Sequence, residues 1–215
     1  MTRLVITRHG QSQANAEFRF AGHSDFDLSE IGHRQAQKVA DYICENEKID
    51  VIYSSDLSRA YNTALPTAKR LGMEIIPTEE LREIFAGEWE GRTTMELAEM
   101  YPEDFGVWKN DYANSRCTGG ESTAEVYRRV VKTVSRIAEE HDGQTVMLST
   151  HATLVRALSA HAQGLDETET GKIPFTHNAS VNIFIYDNGK LIPERLNIIE
   201  HLGDIVTGVH KSFSK

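Results

Sequence analysis

Three short apolar runs stand out along the chain: Leu4-Val5-Ile6, Val51-Ile52-Tyr53 and Val146-Met147-Leu148. Each predicts a buried strand, and each is followed within a few residues by a helix-like segment, the alternation typical of parallel α/β units. Ser29 can cap a helix running to about Lys48, with Ala36, Val39, Ala40 and Ile43 on one face. Ser58 to Leu71 also reads helical, although Pro66 inside it should kink or restart the helix. Ser122 and Glu125 form a capping-box pattern ahead of the stripe Val126, Val130, Val134 and Ile137, with Gly143 just past its end. A further helix is expected over about 153–163. Late in the chain two β-rich runs, Val181 to Tyr186 and Leu191 to Ile199, flank Asp187-Asn188-Gly189-Lys190, which predicts a hairpin. The expected fold is a three-layer α/β/α sandwich with a mostly parallel sheet and helices on both faces. The stretch 89–120 has no clear period, and no element is assigned there.

With 215 residues, 40% of them apolar, the chain can build one ordinary core. No linker-like segment or repeat divides it, so residues 1–215 are read as one domain. Its 23 basic and 32 acidic residues give a net charge of −9 with histidines neutral. Such a surface repels nucleic acid and anionic membrane, and neither is expected as a partner. A small phosphate ester could bind only where basic groups converge locally.

Cys44 and Cys117 are the only cysteines, far apart and in no C-x-x-C pair, so neither a disulfide scaffold nor a zinc site is indicated. Cys44 is expected to be a small core residue of its helix. The start of the chain reaches a charged residue too early for a signal peptide, and no run of about 20 apolar residues is present to span a bilayer. A cytoplasmic location is expected.

The strand ends carry the chemistry. The first run ends in Thr7-Arg8-His9-Gly10, the second in Ser54-Ser55-Asp56-Leu57-Ser58-Arg59 and the third in Ser149-Thr150-His151-Ala152. Open parallel sheets bind ligands outside the carboxyl ends of their strands, so two arginines and two histidines can converge on one crevice. That set suits a phosphate, because Arg offers a planar fork of donors to two oxygens at once. The helix after His151 would add backbone N–H groups including that of Ala152, Gly10 would allow close backbone approach, and Ser12 and Asn15 offer neutral donors.

Taken together, these segments resemble the histidine phosphatase superfamily, the phosphoglycerate mutase-like proteins, over essentially the whole length. Thr7-Arg8-His9-Gly10-Gln11-Ser12-Gln13-Ala14-Asn15 is similar to the defining Arg-His-Gly motif with its trailing Ser and Asn. Ser54 to Ala60 followed by Thr63-Ala64 resembles the second Arg motif, and Leu81-Arg82-Glu83 with Gly87-Glu88-Trp89-Glu90-Gly91 the segment that supplies the acid. Gly119-Gly120-Glu121-Ser122 and Thr150-His151 complete the set in the family's order.

The resemblance implies roles for each position. His9 would be the nucleophile, attacking phosphorus as a neutral imidazole without metal or cofactor. Arg8, Arg59 and His151 would surround the equatorial oxygens, where charge rests in phosphoryl transfer, and a cationic His151 would strengthen that hold. Asn15 would add a phosphate hydrogen bond. Glu83 would protonate the leaving oxygen and then activate the attacking water. Glu79, Glu80, Glu88 and Glu90 lie nearby, and apart from the family register nothing selects Glu83 among them.

Ala152 stands where many members carry Gly, and it argues against the acid-phosphatase and phytase branch, which has Asp there. Trp89-Glu90-Gly91 is similar to the phosphatases rather than the cofactor-dependent mutases, so a phosphatase is the expectation and a phosphoglycerate mutase-type transferase the alternative. Phe105, Trp108 and Tyr112 are candidates for a lid over the substrate, and His23 and Asp25 for the rim. Nine histidines raise a metal hydrolase as a rival, but no close ligand set such as H-E-x-x-H occurs. A non-catalytic phosphate-binding regulator is the remaining rival, opposed by the complete set of competent residues. A homodimer through the late hairpin is compatible with any of these readings.

Overall fold

In a computed structural model that describes residues 1–208, the first apolar run lies within the central strand β1 (Thr2–Arg8). After α1 (Gln13–Ala16) and α2 (Glu30–Asn46) come β2 (Val51–Ser54), α3 (Ser58–Leu71) and β3 (Ile75–Pro77). Next are α4 (Thr94–Met100), α5 (Pro102–Asn110), α6 (Thr123–Glu140), β4 (Thr145–Thr150) and α7 (Ala152–Ala162). The hairpin β5 (Val181–Asp187) and β6 (Lys190–Ile198) follows. The sheet order is β3-β2-β4-β1-β5-β6, with β1 to β4 parallel and β5 and β6 antiparallel to their neighbours.

Period two along the strands sorts the helices into layers. Leu4, Ile6, Val146 and Leu148 share a core with Val126, Val130 and Val134 of α6 and Leu154 and Leu158 of α7. Val5 and Met147 point the other way, into a core with Val39 and Ile43 of α2 and Ala64 and Ala68 of α3. Strands covered on both faces need a continuous apolar run, which explains why these were short and unbroken in sequence.

The helix ends follow the capping signals. Ser29 accepts from the Gly32 N–H, and the Ser122–Glu125 capping box is formed in both directions. In the hairpin turn Asn188 and Gly189 both have positive φ, 48° and 76°, the geometry that lets a two-residue turn match strand twist.

Two expectations are corrected. α3 does not restart at Pro66 but runs through it as one helix, ending at Gly72, which is left-handed at φ 66°. Pro66 removes the donor to the Asn62 carbonyl, and both residues are half-buried on the helix rather than in the core. Cys44 is also only half-buried, because it sits one step of about 100° round the helix from the Ala36–Val39–Ala40–Ile43 stripe.

Segment 89–120 holds α4 and α5. Both are short, with Leu97 the one buried residue of α4 and Phe105 and Trp108 those of α5, too few to print a period. Their start signals were present: Thr93 and Glu96 form a capping box, and Pro102 opens α5. Trp89, Phe20, Phe105 and Trp108 hold the segment to the core in edge-to-face pairs with centroids 5.0–5.9 Å apart.

Candidate active site

The carboxyl ends of β1, β2 and β4 lie side by side, and each delivers its predicted residues there. His9 continues the β1 ladder, its N–H donating to Thr150 at 2.8 Å. Its own carbonyl accepts from the Ala179 N–H at 3.1 Å and from Asn178 Nδ2 at 3.3 Å. Nδ1 of the ring lies 2.6 Å from the Gly10 carbonyl oxygen. A carbonyl can only accept, so Nδ1 carries the proton and the Nε2 lone pair is free to attack. Burial first, then Arg59 and Arg8, hold the His9 pKa well below that of an ordinary imidazole. The ring is neutral at neutral pH, as a nucleophile must be.

Arg8, Arg59 and His151 are buried around it. Arg59 donates through Nη1 to Ser24 at 3.0 Å and through Nη2 to Gly22 at 2.7 Å, both backbone carbonyls. Arg8 donates through Nη1 to the carbonyls of Thr176 and Gly208. Burial pushes the Arg8 pKa down to about 10, so it is still charged near neutrality. His151 packs edge-on to His9, ring centroids 5.1 Å apart, with Nε2 2.9 Å from Ser55 Oγ. Burial, followed by Arg59 and His9, pushes its pKa far down, so His151 is neutral rather than cationic without an anion beside it. Arg8 Nε, Arg59 Nε and His151 Nδ1 are buried and have no hydrogen-bond partner among the described residues. Buried donors without acceptors are unfavourable, and three of them round one histidine call for a ligand rich in oxygen.

Residues 4–199 match the Histidine phosphatase superfamily (branch 1). The chain belongs to that family. It is 35% identical over 212 residues to phosphoserine phosphatase 1 of Hydrogenobacter thermophilus, across 99% of this chain and 100% of that one. Among solved structures it resembles Bacillus stearothermophilus YhfR, with a TM-score of 0.89 at 29% identity over 94% of this chain and 100% of that one. It also resembles the phosphoserine phosphatase of Entamoeba histolytica in complex with 3-phosphoglyceric acid, at 0.81 and 26%, over 94% and 100%. The expectation of a histidine phosphatase, an enzyme of the phosphoric monoester hydrolase class, stands, as does the expected α/β fold.

Within this histidine phosphatase the remaining candidates divide. Asn15 lines the cavity, and its Oδ1 accepts from the Ser12 N–H at 3.2 Å and from Asn178 Nδ2 at 3.1 Å. With the oxygen so engaged, Nδ2 is what it offers a ligand. Ser12 is fully buried as the cap of α1, its hydroxyl accepting from the Asn15 N–H, so it orients Asn15 instead of touching substrate. Gly10 faces Gly32, whose carbonyl oxygen would lie 2.7 Å from an added Cβ, and its N–H donates to Thr63 Oγ1. Its smallness serves chain packing rather than the ligand. Ala152 lines the cavity at the start of α7, where its methyl is accommodated.

Glu83 is the one of the five clustered acids that lines the cavity among the described residues. Its Oε1 accepts from the Ile84 N–H at 2.9 Å and Oε2 from the Thr153 N–H at 3.4 Å. Glu90 is committed elsewhere, accepting from the backbone of His23, Ser24 and Ala86. The Glu83 segment is pinned from beneath. Thr150 Oγ1 donates to the Leu81 carbonyl, while Arg129 of α6 donates to the carbonyls of Glu80, Arg82 and Glu83. Glu121 pairs with Arg129 and accepts from the Phe85 N–H, and Gly120 packs so close that a Cβ would lie 2.2 Å from the Phe85 oxygen. The Gly119–Ser122 motif thus braces the acid.

Of the rim candidates, His23 is turned to the Glu83 carbonyl through Nε2 at 2.9 Å, and Asp25 caps α3 through Ser58. Their neighbours Phe20, Ala21 and Gly22 line the cavity. Trp108 and Tyr112 also line it, whereas Phe105 packs behind against Trp89. The cavity measures about 760 Å³. Sequence reasoning missed Asn178, which ties His9 to Asn15, and Ser55, which holds His151. Asn178 stands just before β5, and only pairing of β5 beside β1 brings it near. Ser55 belonged to a quoted motif but had been given no task.

Proposed function

We propose that His9 Nε2 attacks the phosphorus of a small phosphate monoester and forms phosphohistidine. The P–O bond to the leaving group breaks as the N–P bond forms, and Glu83 gives its proton to the departing oxygen. Arg8, Arg59, His151 and Asn15 hold the transferring group's equatorial oxygens. Glu83, now a carboxylate, takes a proton from water, the water oxygen attacks phosphorus, the N–P bond breaks and inorganic phosphate leaves. The observation that carries this reading is the trio of buried donors without protein acceptors, Arg8 Nε, Arg59 Nε and His151 Nδ1, beside an imidazole whose Nε2 is free. Each resting position already holds the charge-matching groups in place, so little reorganisation is needed in the transition state.

The names of the relatives add phosphoserine as a substrate to try first. We read residues 1–215 as one histidine phosphatase domain, supported by the match over 4–199. Two unpaired thiols, Cys44 and Cys117, support placing the enzyme in a reducing cytoplasm.

The test is hydrolysis of an aryl phosphate in EDTA by the wild type beside His9→Ala. Activity should survive the chelator and fall by at least about 10⁴-fold in the variant, with ³²P label trapped on the wild type alone. Loss of activity in EDTA, or full activity in His9→Ala, would refute the mechanism.

A further inference from the structure

About 7.5 Å along the axis of α7 from His151, the cavity wall holds a cation that the phosphoryl chemistry leaves unused. Arg156 is 7% exposed and lines the same cavity as His9 and Arg8. Its guanidinium lies between two aromatic rings, the carbon 3.8 Å from the Tyr112 centroid and 4.3 Å from that of Phe175. Nε donates to the Thr170 carbonyl at 3.0 Å and Nη2 to that of Gly171 at 2.9 Å. The plane is therefore fixed on both faces and along one edge.

No acid among the described residues balances this charge. The one group acting on it electrostatically is Tyr112, and burial lowers its pKa. Other cations at the rim of the cavity are unlike it: Lys172 pairs with Glu169 and Arg19 with Glu17, and Lys109 is exposed, its ammonium 5.9 Å from the Phe105 ring centroid. A buried cation without a counter-charge is unfavourable unless a ligand supplies one. The arrangement repeats, in miniature, what the phosphate end does with Arg8 and Arg59.

We propose that Arg156 is a second anion subsite, and that it receives the carboxylate of the substrate. The substrate class is then a small phosphate monoester that carries a carboxylate a few bonds from the ester oxygen. Three observations favour a carboxylate over a second phosphate. There is one guanidinium instead of two, two of its nitrogens are already committed to carbonyls, and the stacking rings are apolar. A single charge with two coplanar oxygens matches that remainder, whereas a dianion would lack donors. Ala152, one turn earlier on the same face of α7, lines the cavity as well, so Arg156 and the start of α7 beside His151 face one space, as a short substrate requires.

This inference rests on the phosphatase reading, and matched substrate pairs separate the two. We would measure kcat/KM for phosphoserine against phosphoethanolamine, and for 3-phosphoglycerate against glycerol 3-phosphate, in the wild type, Arg156→Gln and Arg156→Lys. An aryl phosphate serves as the common reference. The wild type should favour the carboxylated member of at least one pair. In Arg156→Gln that preference should shrink on the order of 100-fold, mainly through KM, and Arg156→Lys should restore part of it. A wild type with no preference in either pair overturns the inference while leaving the phosphatase intact, and so does an unchanged ratio in Arg156→Gln. Where Arg156→Gln does not fold, the wild-type ratio and Arg156→Lys decide alone. A wild type that cleaves no ester, the aryl phosphate included, sinks the phosphatase reading and the subsite with it.

Discussion

The two ends of the cavity are built by different means. At the phosphate end, His9, Arg59 and His151 stand within a few residues of three strand termini, and their positions follow from strand pairing. At the other end Arg156 is set by α7, but Tyr112, Phe175 and the Thr170–Gly171 carbonyls that fix it come from short 3-10 turns and loops. The first end is a rigid platform for one chemical group that never varies. The second is a frame of connections, which can change length and sequence without disturbing the sheet. Catalysis and selectivity are thereby separable in this molecule, and substitutions at each end should separate them too.

The largest effect short of losing the nucleophile is expected from Arg59→Ala. Arg59 is 1% exposed, and its forked end is oriented by the Ser24 and Gly22 carbonyls. Its removal takes away the proposed transition-state donor and the bond to the Gly22 carbonyl, while the Ser24 carbonyl keeps the Phe26 N–H. A fall in kcat of about 10²–10³-fold is expected, equal for carboxylated and plain esters. Steady-state kinetics on both classes checks this. A loss confined to one class would mean that the ends are not separable.

Glu83→Gln should come next, and its size should depend on the leaving group. An alkyl alcohol needs its proton, so kcat for such esters should fall about 10²-fold or more. An aryl phosphate with an acidic phenol needs little help in the first step, so dephosphorylation of His9 should become rate-limiting and a burst of phenol should appear. Equal losses on both substrates, with no burst, would place the proton donor elsewhere among the acids near 79–90.

What could be read in the sequence divides along the same line as the cavity. β1, β2 and β4 carry three-residue apolar runs that only a doubly covered strand requires, and the residues after them inherit a common edge from parallel pairing alone. Hence the convergence of Arg8, His9, Arg59 and His151 is legible in the sequence. Glu83 was not, except through family register, since no local rule separates it from Glu79, Glu80, Glu88 or Glu90. What selects it is the brace of Thr150, Arg129 and Glu121, contacts between positions some 40 to 70 residues apart. Ser12 and Gly10 show the converse. Their types suited a ligand, but the chain turned both to its own packing, which residue type cannot reveal. Arg156 lies on a helix buried along nearly all its length, so the sequence offers no face on which to place it.

The smallest effect, and the most informative about the phosphate end, belongs to Ser55→Ala. Ser55 Oγ accepts from the Leu57 N–H at 3.3 Å, so its own hydrogen is free to point at His151 Nε2, 2.9 Å away. That bond makes Nε2 the acceptor and leaves the ring proton on Nδ1, the buried atom that has no protein partner among the described residues. On the proposed mechanism a neutral His151 would then donate to the phosphoryl group, in an environment that opposes the charged form. Without Ser55 the proton can move to Nε2, and the loss of one oriented hydrogen bond should lower kcat/KM about tenfold near neutral pH. The pH dependence gives the sign. In the wild type neither His9 nor His151 titrates near the usual 6.5, because both pKa values are depressed, so no acid limb should appear there. In the variant the same burial and the same neighbouring charges oppose the cation, so the loss should be a nearly constant factor between about pH 8 and 6.5. Ser55→Thr keeps the hydroxyl and should restore the rate. A kcat/KM unchanged in Ser55→Ala, or a Thr variant no better than Ala, would show that Ser55 merely fills space behind the ring.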